Sequence, residues 1–188
     1  MNDIVSLLAS TLQRELWIVT AQHASRRGGL VATFVNQASI VPQMPRMVIG
    51  LANHHFTREL VEASSCFALH LISEQQLDWV WHFGLKKGRQ EDKLLGFPCR
   101  AGRTNSPIIE GTLGYLDCKV EASLPIGDRT LYVGEVVDAS LNLNQAPLTS
   151  QRMLALAPDA VRRQLAEQMQ QDIAIDEEAI RIWRQKRA

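Results

Sequence analysis

Two prolines, Pro42 and Pro45, follow a charge-free stretch, Thr33-Phe34-Val35-Asn36-Gln37-Ala38-Ser39, and they restrict what can surround it. Proline offers no amide donor and holds φ near −65°, so neither a helix nor a central strand runs through residues 40–45. The apolar residues on either side, Leu30 and Val31 before and Met47, Val48, Ile49 and Leu51 after, then belong to separate strands joined by a bend. Segment 33–39 sits at the margin of buried β-structure and carries hydroxyls, side-chain amides and backbone donors. Such a segment suits an anion or the edge of a planar ring, without a charge of its own.

The rest of the chain sets β-structure between helices. Residues 16–21 predict a strand, and Gly28-Gly29 predicts the turn of a hairpin into residues 30–35. Ile4, Leu7, Leu8 and Leu12 share one helical face, which predicts an amphipathic helix over the first fifteen residues. Thr57 is placed as the cap of a short helix through Ser64, and Ser73 with Gln76 as a capping box opening a helix toward Phe83. Residues 66–71 form an apolar strand. Later, Leu116, Cys118 and Val120 alternate with Asp117, Lys119 and Glu121, a strand with one wet face, followed by a turn at 126–129 and a returning strand over 130–139. From about Gln151 helix formers take over, with Asp159 and Asp176 each placed to cap a helix of a hairpin. The expected architecture is mainly β with flanking helices: a small antiparallel barrel over residues 1–150 and a helical extension over 151–188.

Composition removes several classes of function. Twenty basic and twenty acidic residues cancel, so no global field steers the chain to nucleic acid or to an anionic membrane. No apolar run approaches the ~20 residues of a membrane span. The first ten residues lack a basic lead-in and a small-residue cleavage site, and a cytoplasmic location is expected. Cys66, Cys99 and Cys118 have no paired ligand spacing, so neither a metal site nor a disulfide framework is expected. His54 and His55 are adjacent and suit a loop. His70 suits a satisfied sheet residue, and Trp79, Trp81 and Phe83 suit core packing on a helix.

Taken in order, the strand, the glycine pair, Ala32-Thr33-Phe34-Val35-Asn36-Gln37-Ala38-Ser39, the proline bend, the Thr57 helix and Phe67-Ala68-Leu69-His70-Leu71-Ile72 resemble the flavin reductase-like domain family. Phe83, Glu91-Asp92-Lys93, and Gly127-Asp128 before a strand containing Gly134-Glu135-Val136 extend the likeness over about residues 14–145. The resemblance implies an FMN-binding split barrel, usually a homodimer. It also implies that Thr33, Phe34, Val35, Asn36, Gln37 and Ser39 meet the flavin phosphate, ribityl chain and ring edge. The segment with Ala52, Asn53, His54 and Thr57 adds contacts, Phe83 stands near the ring, and Lys86, Arg89 or Lys93 neutralises the phosphate. A flavin phosphate needs donors and positive potential, and the ring needs a flat apolar wall.

Two departures stand out. The family often has adjacent prolines after its flavin segment, where this chain separates Pro42 and Pro45. Many members carry a histidine at the position of Arg129, near the nicotinamide. Arg129 has two expected outcomes: as a turn residue it is solvated, the favoured one, or its forked donors bind a phosphate of the nucleotide and favour NADPH over NADH. The resemblance implies an oxidoreductase that moves hydride from NAD(P)H to flavin, with free flavin or a partner oxygenase as acceptor. The alternatives are a non-catalytic FMN-binding or electron-transfer flavoprotein without a nicotinamide site, and an FMN-dependent oxidase of small amines.

Overall fold

The structure is a computed structural model and describes residues 4, 7, 8, 11–142 and 144–187. Its strands are β1 (Trp17–His23), β2 (Arg26–Ala32), β3 (Val35–Gln37), β4 (Arg46–Ala52), β5 (Cys66–Leu71), β6 (Cys99–Ala101), β7 (Pro107–Ile109), β8 (Gly114–Pro125) and β9 (Arg129–Leu141). Seven of them form one antiparallel sheet in the order β2-β1-β5-β8-β9-β4-β3, and β6 pairs with β7. β2 and β3 lie at opposite edges of that order, yet only Thr33 and Phe34 separate them. Three Cα steps span at most about 11 Å. The sheet must therefore curl until its edges nearly meet, and residues 33 and 34 bridge the seam of a half-barrel.

Strand alternation divides the core. Val19 and Ala21 join Ile49, Leu51, Phe67 and Leu69 in one buried cluster, while Leu16 and Ile18 join Ile72, Phe83, Leu94 and Ile109 in another. Helix α1 (Phe56–Ser64) packs on β1 and β2, and α2 (Leu77–Leu85) packs on β2. His70 is buried between these layers. The Ile109 amide donates to its Nε2 (3.0 Å), so the proton sits on Nδ1, which donates to Ile18 O (3.0 Å). Burial pushes this imidazole down to about 4, and it is a neutral structural residue at physiological pH.

Several expectations need correction. The β1–β2 turn falls at Ala24 and Ser25, with Ala24 in the left-handed region (φ 52°), not at Gly28-Gly29. Both glycines lie inside β2, where a Cβ on Gly29 would stand 2.8 Å from Phe83 Cε1. The pair makes room for a helix instead of making a turn. Thr57 is the buried second residue of α1, and His55 holds the cap position without a side-chain cap bond. The Ser73–Gln76 capping box is present and opens a 3-10 turn, Glu74–Gln76, that runs into α2. Past α3 (Ser150–Leu156), α4 runs unbroken from Asp159 to Gln185, with no new start at Asp176. Of the expected N-terminal helix, residues 1–3, 5, 6, 9 and 10 lie outside the described residues. Residues 4, 7, 8 and 11 are helical, and Leu12 is not.

Candidate functional site

β4 ends beside the 126–129 turn, and Asn53 fastens the two. Its backbone N–H donates to Asp128 O (2.8 Å), its Nδ2 donates to Gly127 O (2.8 Å), and its Oδ1 accepts from Thr130 Oγ1 (3.0 Å). Gly127 has φ 107°, which a side chain would strain. The chain then passes through His54 and His55 into α1. His55 supplies no side-chain cap, and the Arg58 amide in the first turn of α1 donates to His55 O (3.1 Å).

Charged and imidazole side chains collect at this helix start. The His54 and His55 rings meet edge to face at 4.4 Å. His54 Nε2 lies 3.3 Å from Asp172 Oδ1, and His54 Nδ1 lies 3.7 Å from Asp176 Oδ1. Arg129 pairs through Nε with Asp128 (2.5 Å) and through Nη2 with Asp176 (2.7 Å), and its guanidinium lies 4.7 Å from the centroid of the Phe34 ring. Lys93 is buried and donates from Nζ to Phe83 O (2.7 Å), and desolvation pushes its ammonium down to about 8. Burial first and the neighbouring His54 second push His55 down to about 4, and the charges of Lys93 and Arg129 act in the same direction. Among the described residues, His54 Nε2, Arg58 Nε and Asp176 Oδ1 are buried with no hydrogen-bond partner. Donor atoms of His54, His55 and Asp172 also lie within 4.8 Å of one another, a loose metal-ligand grouping. Lys93 and Arg129 bring positive charge beside this grouping, and Asp128, Asp172 and Asp176 face it with negative charge.

The structure brings together only part of the sequence-derived set. Ala52, Asn53, His54, Thr57 and Lys93 gather at the start of α1, with Phe34 joined through Arg129. Asn36, Gln37 and Ser39 lie on the edge strand β3 and just beyond it. Asn36 Oδ1 accepts from the Gln37 amide (2.8 Å), Gln37 Nε2 donates to Ser39 O (2.6 Å), and Ser39 Oγ accepts from the Val41 amide (3.1 Å). Thr33 and Val35 flank Phe34 at the seam, and the Phe34 ring is half exposed. Phe83 is 1% exposed and filled against Gly29, so its ring belongs to the core. Arg129 is a correction: its side chain is held between two carboxylates and is not a solvated turn residue. Asp172 has no place in the sequence reading, and Asp176 enters it only as a helix cap. The i,i+4 spacing of the two aspartates, which puts both on one helix face, is the signal that marks them.

Comparison with known proteins places these features in a family. The model of the flavin reductase like domain matches residues 9–155. A high molecular weight rubredoxin of Moorella thermoacetica is 29% identical over 141 residues, covering 74% of this chain and 61% of that protein. A ferric-chelate reductase (NAD(P)H) of Archaeoglobus fulgidus is 27% identical over 136 residues, covering 71% of this chain and 79% of that one. Among solved structures, an FMN-binding protein from Thermus thermophilus with bound p-hydroxybenzaldehyde superposes with a TM-score of 0.65 at 24% identity, over 70% of this chain and 73% of that chain. This chain thus spans about three-fifths of the Moorella relative, and the structural likeness is one of fold.

Proposed function

We propose a function from one premise: the chain belongs to the flavin reductase-like domain family. It is an FMN-binding oxidoreductase that moves hydride from NAD(P)H to flavin, with free flavin or a partner oxygenase as the acceptor. The observation that carries this reading is the cluster at the start of α1, where Lys93, His54 and Arg129 gather beside the barrel seam at a helix start that has no side-chain cap. His54 Nε2, which faces Asp172 at 3.3 Å without a hydrogen bond, is a donor that a phosphate would satisfy. The half-exposed Phe34 ring, with Thr33 and Val35, offers the apolar wall that the flavin ring needs. Bound there, FMN supplies the two-electron chemistry between nicotinamide and acceptor. The protein's part is to hold the phosphate and to shield the ring. The absorption spectrum of the purified protein, followed by NADH and NADPH oxidation with and without added FMN, tests this. One FMN per chain and nucleotide oxidation that depends on it are expected, and a colourless protein that ignores FMN sinks the reading.

One observation favours the second reading, an electron-transfer flavoprotein without a nicotinamide site. Arg129 is locked to Asp128 and Asp176, and α4 lies over Gly127, in the turn that the resemblance puts beside the nicotinamide. FMN binding without NAD(P)H oxidation is its signature.

Residues 1–150 act as the flavin domain and 151–188 as an extension, and the working unit is a homodimer in the cytoplasm. No helix among the described residues is long and apolar enough to cross a membrane. The exposed Ile40, Val41, Met44 and Leu141, with an apolar groove of about 360 Å³ lined by Trp17, Leu71, Leu116 and Ala139, support a second copy as the cover for this surface. Light scattering at micromolar concentration is expected to report twice the chain mass, and a monomer with FMN bound would contradict it.

A further inference from the structure

Helix α4 is held in an unusual way for a helix of 27 residues: none of its residues is buried. Met169, Ile173, Ile175 and Ile182 face solvent, while Val161, Leu165, Ala179, Ile180 and Trp183 on the inward side are only half-buried. A polar seam runs between these apolar contacts. Gln168 Nε2 donates to Gly84 O (3.3 Å), Asp172 faces His54 (3.3 Å), and Asp176 pairs with Arg129 (2.7 Å). Past these, Ile180 and Trp183 come against Gly127, where a Cβ would stand 3.2 Å from Ile180 Cα. The helix therefore lies directly over the donor cluster at the start of α1.

The fit between seam and cluster is imperfect in a telling way. Asp176 Oδ1 and His54 Nε2 are buried without hydrogen bonds, and burial pushes the Asp176 carboxyl up. Two carboxylates carry a charge of −2, close to the −1.5 to −2 of a phosphate monoester at neutral pH. They meet the same arginine and histidine that a phosphate would meet, but on a helix side that cannot reach every donor. We infer that Asp172 and Asp176 are the resident anions of this cradle, and that a flavin phosphate displaces them, so that loading of FMN lifts α4 from the barrel. The inference rests on the reading of the cradle as a flavin phosphate site.

Amide hydrogen exchange across residues 168–183 of the full chain tests it, with FMN, riboflavin or inorganic phosphate as probes. FMN is expected to speed exchange there at least tenfold, millimolar phosphate to do the same, and riboflavin, which lacks the phosphate, to leave it unchanged. The paired variant Asp172→Asn with Asp176→Asn keeps shape and removes charge. It is expected to bind FMN at least tenfold more tightly than the natural sequence, with riboflavin affinity unaltered. If FMN binds and exchange over 168–183 stays the same or slows, the displacement is wrong while the flavin reading survives. If neither protein binds FMN and phosphate leaves exchange unchanged, both fail together.

Discussion

Lys93→Met is expected to weaken FMN binding about ten- to a hundredfold, the effect of losing a charged hydrogen bond worth ~1.5–3 kcal/mol. Lys93 is 5% exposed, and among the described residues its ammonium donates one hydrogen bond, to the Phe83 carbonyl. That bond has a structural use, since Phe83 lies in the last turn of α2 and its carbonyl needs a donor. A neutral donor would serve there, however, and spare the desolvation that pushes the ammonium down to about 8. The charge is held at a cost that an anion would offset. The pH dependence follows from the sign of the shift. Below pH 8 Lys93 is protonated and ready for phosphate, and above it the free protein loses that proton, so FMN affinity should fall as pH rises past 8. Lys93→Met should abolish this slope. Equal affinities for both proteins across pH 7–9.5, measured by fluorescence titration, would reduce Lys93 to a staple for α2.

The sheet was legible because buried β-structure imposes period-two patterns on sequence. Leu116, Cys118 and Val120 alternate with polar neighbours, and that alternation is observed in β8. Turn chemistry misled where packing overrode it. Gly28-Gly29 has the composition of a hairpin turn, but the glycines are needed where Phe83, Phe56 and Leu60 approach the strand. Asp176 has the composition of a helix cap, yet no glycine or proline precedes it and its carboxylate is taken by Arg129. The candidate site was only half legible for a related reason. Asn53, His54 and Lys93 are near one another through the β4–α1 connection and the return of the 86–98 loop. Arg129 and the aspartates of α4 arrive from residues more than seventy positions away, and no local pattern announces such a meeting. The sequence reading of Phe83 as core packing on a helix agrees with its burial, whereas the resemblance implies a place near the flavin ring.

Arg129→Ala is expected to cost about 2–4 kcal/mol of stability, somewhat below the ~3–5 kcal/mol of breaking a fully buried pair. The discount reflects side chains that keep 20% exposure at Arg129, 10% at Asp128 and 17% at Asp176. Removing the guanidinium leaves two carboxylates facing each other with their shared cation gone, in a place where burial first and the charge of Asp128 after it push the Asp176 carboxyl up. It also removes one of the two guanidiniums over the Phe34 ring and leaves that of Arg14. Because α4 has no buried residue, loss of this bridge should loosen the helix before the barrel unfolds. Trypsin should then cut at Arg162, Arg181 and Arg184 faster than in the natural protein. A partial rescue gives the decisive contrast: adding Asp176→Asn removes one of the orphaned charges and should recover at least about 1 kcal/mol in a double-mutant cycle. Urea midpoints that differ by less than the equivalent of about 0.5 kcal/mol between Arg129→Ala and the natural sequence would return Arg129 to the role of a solvated turn residue. The helix would then be held by contacts other than its carboxylates.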